Sequence, residues 1–132
     1  MNVCAISTIT ASRPGQVQST VLCVDGSPDI LEICRTILNA GGYQVFTVSS
    51  GAAALDFLKL HSITAAIIDD TMPDMSGLDL AREIKRSAED VIVVMYCGAL
   101  HEEERFPFVD SCLPKGKGPV ALRKLLGSLL QK

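Results

Sequence analysis

The chain has 132 residues, 48% of them apolar and 20% charged, with a formal net charge of −3. That length suits one domain, and that composition is too apolar for a disordered chain. No apolar run approaches the ~20 residues of a membrane span, and residues 1–20 lack the basic and apolar regions of a signal peptide, so neither is expected. Arg13 is the one charged residue in that stretch, which leaves residues 21–132 at a net charge of −4. An acidic domain without a basic cluster argues against nonspecific nucleic-acid binding. Cysteines stand at positions 4, 23, 34, 97 and 112, an odd count with no C-x-x-C spacing. They read as reduced, buried thiols of a cytoplasmic protein, with no zinc site.

Residues 1–20 mix Ser, Thr, Gly and Pro without sustained periodicity and are expected to form a flexible extension, with a domain over residues 21–132. From there the pattern alternates strand and helix. Val21-Leu22-Cys23-Val24 is a short continuous apolar run, as expected of a strand buried on both faces. Ser27 is a good N-cap and Pro28 suits the first helical position. Ile30, Ile33, Cys34, Ile37 and Leu38 then share one helical face, and Gly41-Gly42 ends the helix.

Tyr43–Val48, rich in β-branched and aromatic residues, predicts a second strand. Ser50 caps a helix to about His61. Ala65–Ile68 is a third buried strand, ending in Asp69-Asp70. The loop Thr71–Gly77 leads into a helix over about Leu78–Ser87. Val91–Met95 predicts a fourth strand, Leu100–Arg105 a short acidic helix, and Val109–Leu113 a weak fifth strand. Pro119 opens a last helix, with Leu122, Leu125, Leu126, Leu129 and Leu130 along one face.

Strands alternating with helices through right-handed crossovers give a parallel sheet covered on both faces. In such sheets ligands sit outside the carboxyl ends of the strands. The residues expected there are Asp25, Asp69-Asp70, Cys97-Gly98 and Lys115. Two acids and a lysine converging on one edge suggest a hard-cation site with phosphate nearby. Taken singly, each Asp could merely begin a turn; the pattern over three strands is what points to chemistry.

At these residues the sequence resembles the receiver domain of two-component response regulators. Val24–Glu32 resembles the family's V-D-D-x-P-D-I-x-E opening. Ile68–Gly77 closely resembles the phosphoacceptor motif D-x-x-M-P-x-M-x-G, and Leu113-Pro114-Lys115 resembles the signature after the fifth strand. The resemblance covers about residues 21–131. It implies a doubly wound, flavodoxin-like α/β fold: five parallel strands in order 2-1-3-4-5. It also implies a signalling domain rather than a turnover enzyme, accepting a phosphoryl group on Asp69 from a histidine kinase or phosphotransfer protein. Asp25, Asp69 and the Thr71 backbone carbonyl would hold Mg²⁺, and Lys115 would bind the carboxylate or a phosphoryl oxygen. Output would pass to a downstream protein, not to nucleic acid or membrane.

Several positions depart from the family pattern. Its second acid after the first strand is Gly26 here, so Mg²⁺ binding should be weak. The hydroxyl residue after the fourth strand is Cys97, a weaker hydrogen-bond donor. The aromatic switch residue is Cys112, and the proline after the lysine is Gly116, where a trans bond is expected. Only 18 positions separate Cys97 from Lys115, with Pro107 between them, so the family's fourth helix should be shortened. These departures leave an alternative, a phosphorylation-independent pseudo-receiver that works as an interaction module. A cofactor-binding flavodoxin-like protein would need a phosphate-cradling loop where Asp25 brings an acid.

Asp70 could supply the missing ligand, but strand alternation points it elsewhere. His61 and His101 read as solvated, and Glu102–Glu104 as an exposed helix face. On neighbouring strands Cys97 and Cys112 could form a redox-sensitive pair, though two small space-filling side chains is the simpler reading.

Overall fold

Ser27 accepts a hydrogen bond from Ile30 N (3.4 Å) and Pro28 opens the first helix, so the chain turns sharply after its first strand. The structure is a computed structural model, and it describes residues 19–98 and 106–131. Strands β1 (Thr20–Val24), β2 (Gln44–Val48), β3 (Ala65–Ile68), β4 (Ile92–Cys97) and β5 (Ser111–Pro114) form one parallel sheet in the order β2-β1-β3-β4-β5. The doubly wound, flavodoxin-like α/β arrangement expected from the sequence is therefore present.

Among the described residues, four α-helices cover it: α1 (Pro28–Ala40), α2 (Gly51–Leu60), α3 (Gly77–Ser87) and α4 (Pro119–Leu130). Side chains alternate along each strand, so each sheet face builds its own core. Val21, Cys23, Ala65, Ile67, Val94 and Tyr96 pack against Cys34 and Leu38 of α1 and Leu122 and Leu126 of α4. Leu22, Val24, Ala66, Ile68, Val93 and Met95 pack on the other face, against Ala54 of α2 and Leu80, Ala81 and Ile84 of α3. The central strands β1, β3 and β4 are almost wholly buried, which explains their unbroken apolar runs.

Boundaries differ from the sequence expectations where turns compete with pairing. Thr20 already pairs with Gln44, so the sheet begins within the stretch assigned to the extension. Val91 N bonds Ala88 O (3.1 Å), which delays β4 to Ile92. The expected strand ends at Met95, but pairing continues to Cys97 opposite Pro114. Val109 N bonds Phe106 O (3.2 Å), placing Pro107 in a turn. Asp110 follows, and its carboxylate accepts from both Val93 N and Lys85 Nζ at 2.8 Å, pinning the start of β5 to β4 and α3.

The extension over residues 1–18 and the acidic helix expected at Leu100–Arg105, with His101 and Glu102–Glu104, lie outside the described residues, so the shortened helix does too. Among the described residues no peptide bond is cis, so Lys115–Gly116 is trans as expected.

Candidate functional site

β1 and β3 are adjacent and parallel, with Val24 in register with Ile68, so the residues just beyond them, Asp25 and Asp69, emerge side by side. Asp69 N bonds Val24 O (2.9 Å), and Asp25 N bonds Val48 O (3.2 Å), which ties both backbones to the sheet edge. β5 delivers Lys115 to the same edge. Its Nζ lies 2.8 Å from Asp25 Oδ2 and 3.0 Å from Asp69 Oδ1. Asp25 Oδ1 also accepts from Ser27 N at 2.9 Å, so its carboxylate is held from both sides. The three residues predicted to converge are thus in direct contact, with Lys115 well within the expected salt-bridge reach.

These groups are mostly out of water: side-chain exposure is 7% for Asp25, 12% for Asp69 and 22% for Lys115. Burial pushes the Asp69 carboxyl above the usual carboxylate range; Lys115 opposes this, and Asp70 adds to it. Burial works against the Lys115 charge, but hydrogen bonds and charge from Asp25 and Asp69 outweigh it, and the ammonium is held more firmly than usual.

β3 ends at Ile68, so the strand period no longer sets the direction of Asp70. Its carboxyl acts on Asp69 and, after burial, is the largest influence raising the Cys97 thiol, to about 11. The Lys115 ammonium responds to Asp25 and Asp69.

The loop from Thr71 to Ser76 closes on itself through an antiparallel bridge between those two residues. Met72 is buried in the core, and Gly77 N bonds Asp70 O (2.9 Å). A Cβ on Gly77 would stand 2.3 Å from the Asp69 carbonyl oxygen, so only glycine lets α3 start this close to the Asp69 backbone. Over Gly26 the loop brings Pro73: a Cβ there would lie 3.5 Å from Pro73 Cδ, an ordinary contact. Asp74 accepts from Gly51 N (3.0 Å) and Ala52 N (2.8 Å), capping α2 from a different loop. Sequence reasoning did not single out Asp74. The available signal was the first turn of α2, which has no acid of its own, whereas α1 has Asp29 and α3 has Asp79.

Cys97 is buried and Cys112 half-buried, both on the α2/α3 face. They are not opposite each other: Cys97 is in register with Pro114 and Cys112 with Met95. A two-residue offset on adjacent strands puts their Cα atoms ~8 Å apart, beyond the ~7 Å reach of a disulfide. The described cysteines 23, 34, 97 and 112 are not in disulfides. No group of three or more His, Cys, Asp or Glu side chains is arranged to hold a metal among the described residues. The carboxylates in contact with Lys115 are those of Asp25 and Asp69, and the backbone adds further oxygens. Such a set suits Mg²⁺, which keeps several waters and is usually bound through one or two carboxylates.

A family model for the response regulator receiver domain matches residues 21–111. The chain belongs to this family. The response regulator SaeR of Staphylococcus aureus is 32% identical over 84 residues, covering 64% of this chain and 36% of SaeR. The chain thus spans little more than a third of that curated relative. Response regulator TrrA of Thermotoga maritima, solved in complex with Mg²⁺-BeF, is 26% identical with a TM-score of 0.79, covering 86% of this chain and 100% of that one. The chemotaxis response regulator CheY4 of Vibrio cholerae has the same fold, at 24% identity and a TM-score of 0.79 over 86% of this chain and 100% of that one. TrrA has also been solved in complex with the histidine kinase ThkA. As a receiver domain the chain belongs to two-component signalling, and no described helix is long and apolar enough to cross a membrane.

Proposed function

We propose that this receiver domain, over residues 21–132, is a phosphoacceptor switch in which Asp69 takes a phosphoryl group from a histidine kinase or phosphotransfer protein. The observation that carries the reading is the Lys115 ammonium set between the Asp25 and Asp69 carboxylates at the carboxyl edge of the sheet. An Asp69 carboxylate oxygen attacks phosphorus, the P–N bond of the phosphohistidine breaks, and the leaving imidazole nitrogen keeps the electron pair. An acyl phosphate remains on Asp69. Lys115, already beside Oδ1, is placed to follow the new negative charge onto the phosphoryl oxygens. Positioning and charge neutralisation are what such a transfer needs from the protein. The product stays on the chain, so this is a switch rather than a turnover enzyme.

Asp25, Asp69 and the Thr71 backbone carbonyl would hold Mg²⁺, which when bound supplies positive charge to the phosphoryl oxygens. With Gly26 in place of an acid, that binding is weak. The complexes of TrrA with Mg²⁺-BeF and with a histidine kinase support the cation and the class of donor. Three buried thiols outside disulfides fit a cytoplasmic location. Output passes by contact with another protein, since the domain is acidic and carries no basic cluster.

Intact mass after incubating the full chain with acetyl phosphate and Mg²⁺ tests the reading. The wild-type chain should gain one phosphoryl group and Asp69→Asn none. No gain at saturating donor would leave the phosphorylation-independent interaction module as the function.

A further inference from the structure

The loop that carries Thr71 is held from three directions. Met72 is buried in the core, and Gly77 N is bonded to Asp70 O at 2.9 Å. The third hold comes from outside the loop's own strand and helix. Asp74, at the loop tip, grips α2 with both carboxylate oxygens: Oδ1 accepts from Gly51 N at 3.0 Å and Oδ2 from Ala52 N at 2.8 Å. Beside it Met75 lies against Gly51 so closely that a Cβ there would meet Met75 Cγ and Sδ at 2.5 Å. The two N–H donors lower the Asp74 carboxyl below the usual range, so the clasp is charged at neutral pH.

α2 does not depend on Asp74 alone for its start. Ser50 accepts from Ala53 N at 3.1 Å, so the helix has a cap of its own. Asp74 satisfies the two remaining N–H groups of that turn from 22 and 23 residues away. The consequence falls on the loop. Between the bridge at Thr71–Ser76 and the clasp at Asp74, the tip cannot slide along the sheet edge without breaking two charge-assisted hydrogen bonds. Pro73, next to Asp74, is the residue nearest the space over Gly26, where one acid of the family's cation site is missing.

We infer that Asp74 is a positioning residue for the cation and phosphoryl site: by clasping the first turn of α2 it fixes the Thr71–Ser76 loop, and with it the Thr71 carbonyl. In a site that has lost one acid, the backbone carbonyl bears a larger share of cation binding, and its placement matters more. This inference rests on the proposed Mg²⁺-assisted phosphoacceptor reading.

The test compares two caps of the same helix turn, one in the loop and one outside it. Mg²⁺ is titrated into the full chain, followed by the backbone amide resonances of residues 69–77, for the wild type, Asp74→Ala, Asp74→Asn and Ser50→Ala. Both alanine variants should melt somewhat lower than the wild type. Asp74→Ala should raise the Mg²⁺ concentration at half-saturation by about tenfold, as loss of a group that orients a metal ligand does. Asp74→Asn, which keeps one accepting oxygen, should fall between. Ser50→Ala should stay within about twofold of the wild type, since its hydroxyl caps Ala53 N within α2's own first turn. Equal half-saturation in Asp74→Ala and the wild type, or an equal shift in Ser50→Ala, would overturn the inference. Should the wild type show no Mg²⁺ response, hydrogen exchange decides: the Met72 and Gly77 amides should exchange faster in Asp74→Ala and not in Ser50→Ala, and unchanged exchange refutes the clasp. Failure of the phosphoacceptor reading itself shows separately, as absent labelling of the wild-type chain by acetyl phosphate.

Discussion

Lys115 Nζ bridges Asp25 Oδ2 at 2.8 Å and Asp69 Oδ1 at 3.0 Å, so one ammonium joins the ends of β1, β3 and β5. Removing it leaves two largely buried carboxylates facing each other. Loss of one partner from a fully buried pair costs about 3–5 kcal/mol. Lys115 retains 22% side-chain exposure, so Lys115→Ala should cost less, ~2 kcal/mol, in urea unfolding at pH 7. Because the Lys115 pKa is raised on folding, this contribution is complete below the unfolded value near 10.4 and is lost as pH rises through the folded one. A wild-type and variant pair with coincident urea midpoints would mean that the bridge does not form in solution.

Asp70→Asn should change how Asp69 titrates. Burial raises Asp69, and Asp70 raises it further. Between the unfolded value near 3.9 and the raised folded one, the native state holds a proton that the unfolded chain has released, so stability declines with pH across that window. Removing the Asp70 charge narrows the window from above. The acid limb of Asp69 labelling by acetyl phosphate should accordingly move to lower pH in Asp70→Asn. An unmoved limb would place the Asp70 carboxyl too far from Asp69 to act on it.

Most of the architecture was legible because buried parallel strands and capped helices write themselves locally. Ser27, Ser50 and Ser76 each cap the helix that follows, and Val21–Val24 and Ala65–Ile68 are apolar without alternation. Asp25, Asp69 and Lys115 were legible through topology, since each ends a strand on one edge. What stayed hidden depends on chain geometry between elements. The two-residue offset of Cys97 and Cys112 needs the β4–β5 register. The direction of Asp70 depends on where β3 ends, and the clasp of Asp74 joins positions 22 and 23 residues apart.

Gly77→Ala should be costly although the position is at a helix start, where alanine is normally welcome. The new Cβ would stand 2.3 Å from the Asp69 carbonyl oxygen and 3.0 Å from Asp70 Cα, and backbone cannot swing aside as a side chain can. Overpacking usually costs about 1–3 kcal/mol, and a clash with backbone belongs at the upper end. Labelling at Asp69 should fall as well, since the atoms displaced are those of the acceptor. Leu80→Ala, a cavity in the core of α3, should lose a similar ~2–5 kcal/mol but retain labelling in the folded fraction. Retained stability and labelling in Gly77→Ala would refute the tight approach of α3 to β3.

Cys97 should behave as an inert thiol. Burial first, then the negative charge of Asp70, pushes it up to about 11. At pH 8 its thiolate population is about two orders of magnitude below that of an ordinary exposed cysteine. Iodoacetamide should therefore label Cys97 roughly a hundredfold more slowly in the folded chain than in urea. Peptide mapping after mild oxidation should find no Cys97–Cys112 linked peptide, because the register offset holds the pair apart. Recovery of that peptide from folded protein would overturn the register as well as the chemistry.

Gly26→Asp tests the missing acid. A side chain fits here: its Cβ would lie 3.5 Å from Pro73 Cδ, and Gly26 does not have the positive φ that would exclude other residues. The position follows Asp25 directly, at the mouth of the edge that Lys115 spans. An added carboxylate gives a hard cation one more anionic oxygen and makes the net charge of the site one unit more negative. Mg²⁺ affinity should rise by about tenfold, equivalent to ~1.4 kcal/mol, in calorimetric titration. The gain should be larger at low ionic strength, because part of it is unscreened charge. Combining Gly26→Asp with Asp74→Ala should restore the Mg²⁺ response that Asp74→Ala alone loses, since a third carboxylate lessens the dependence on the Thr71 carbonyl. Equal affinity in Gly26→Asp and the wild type would mean that another group, with Asp70 the nearest candidate, already serves as the second acid.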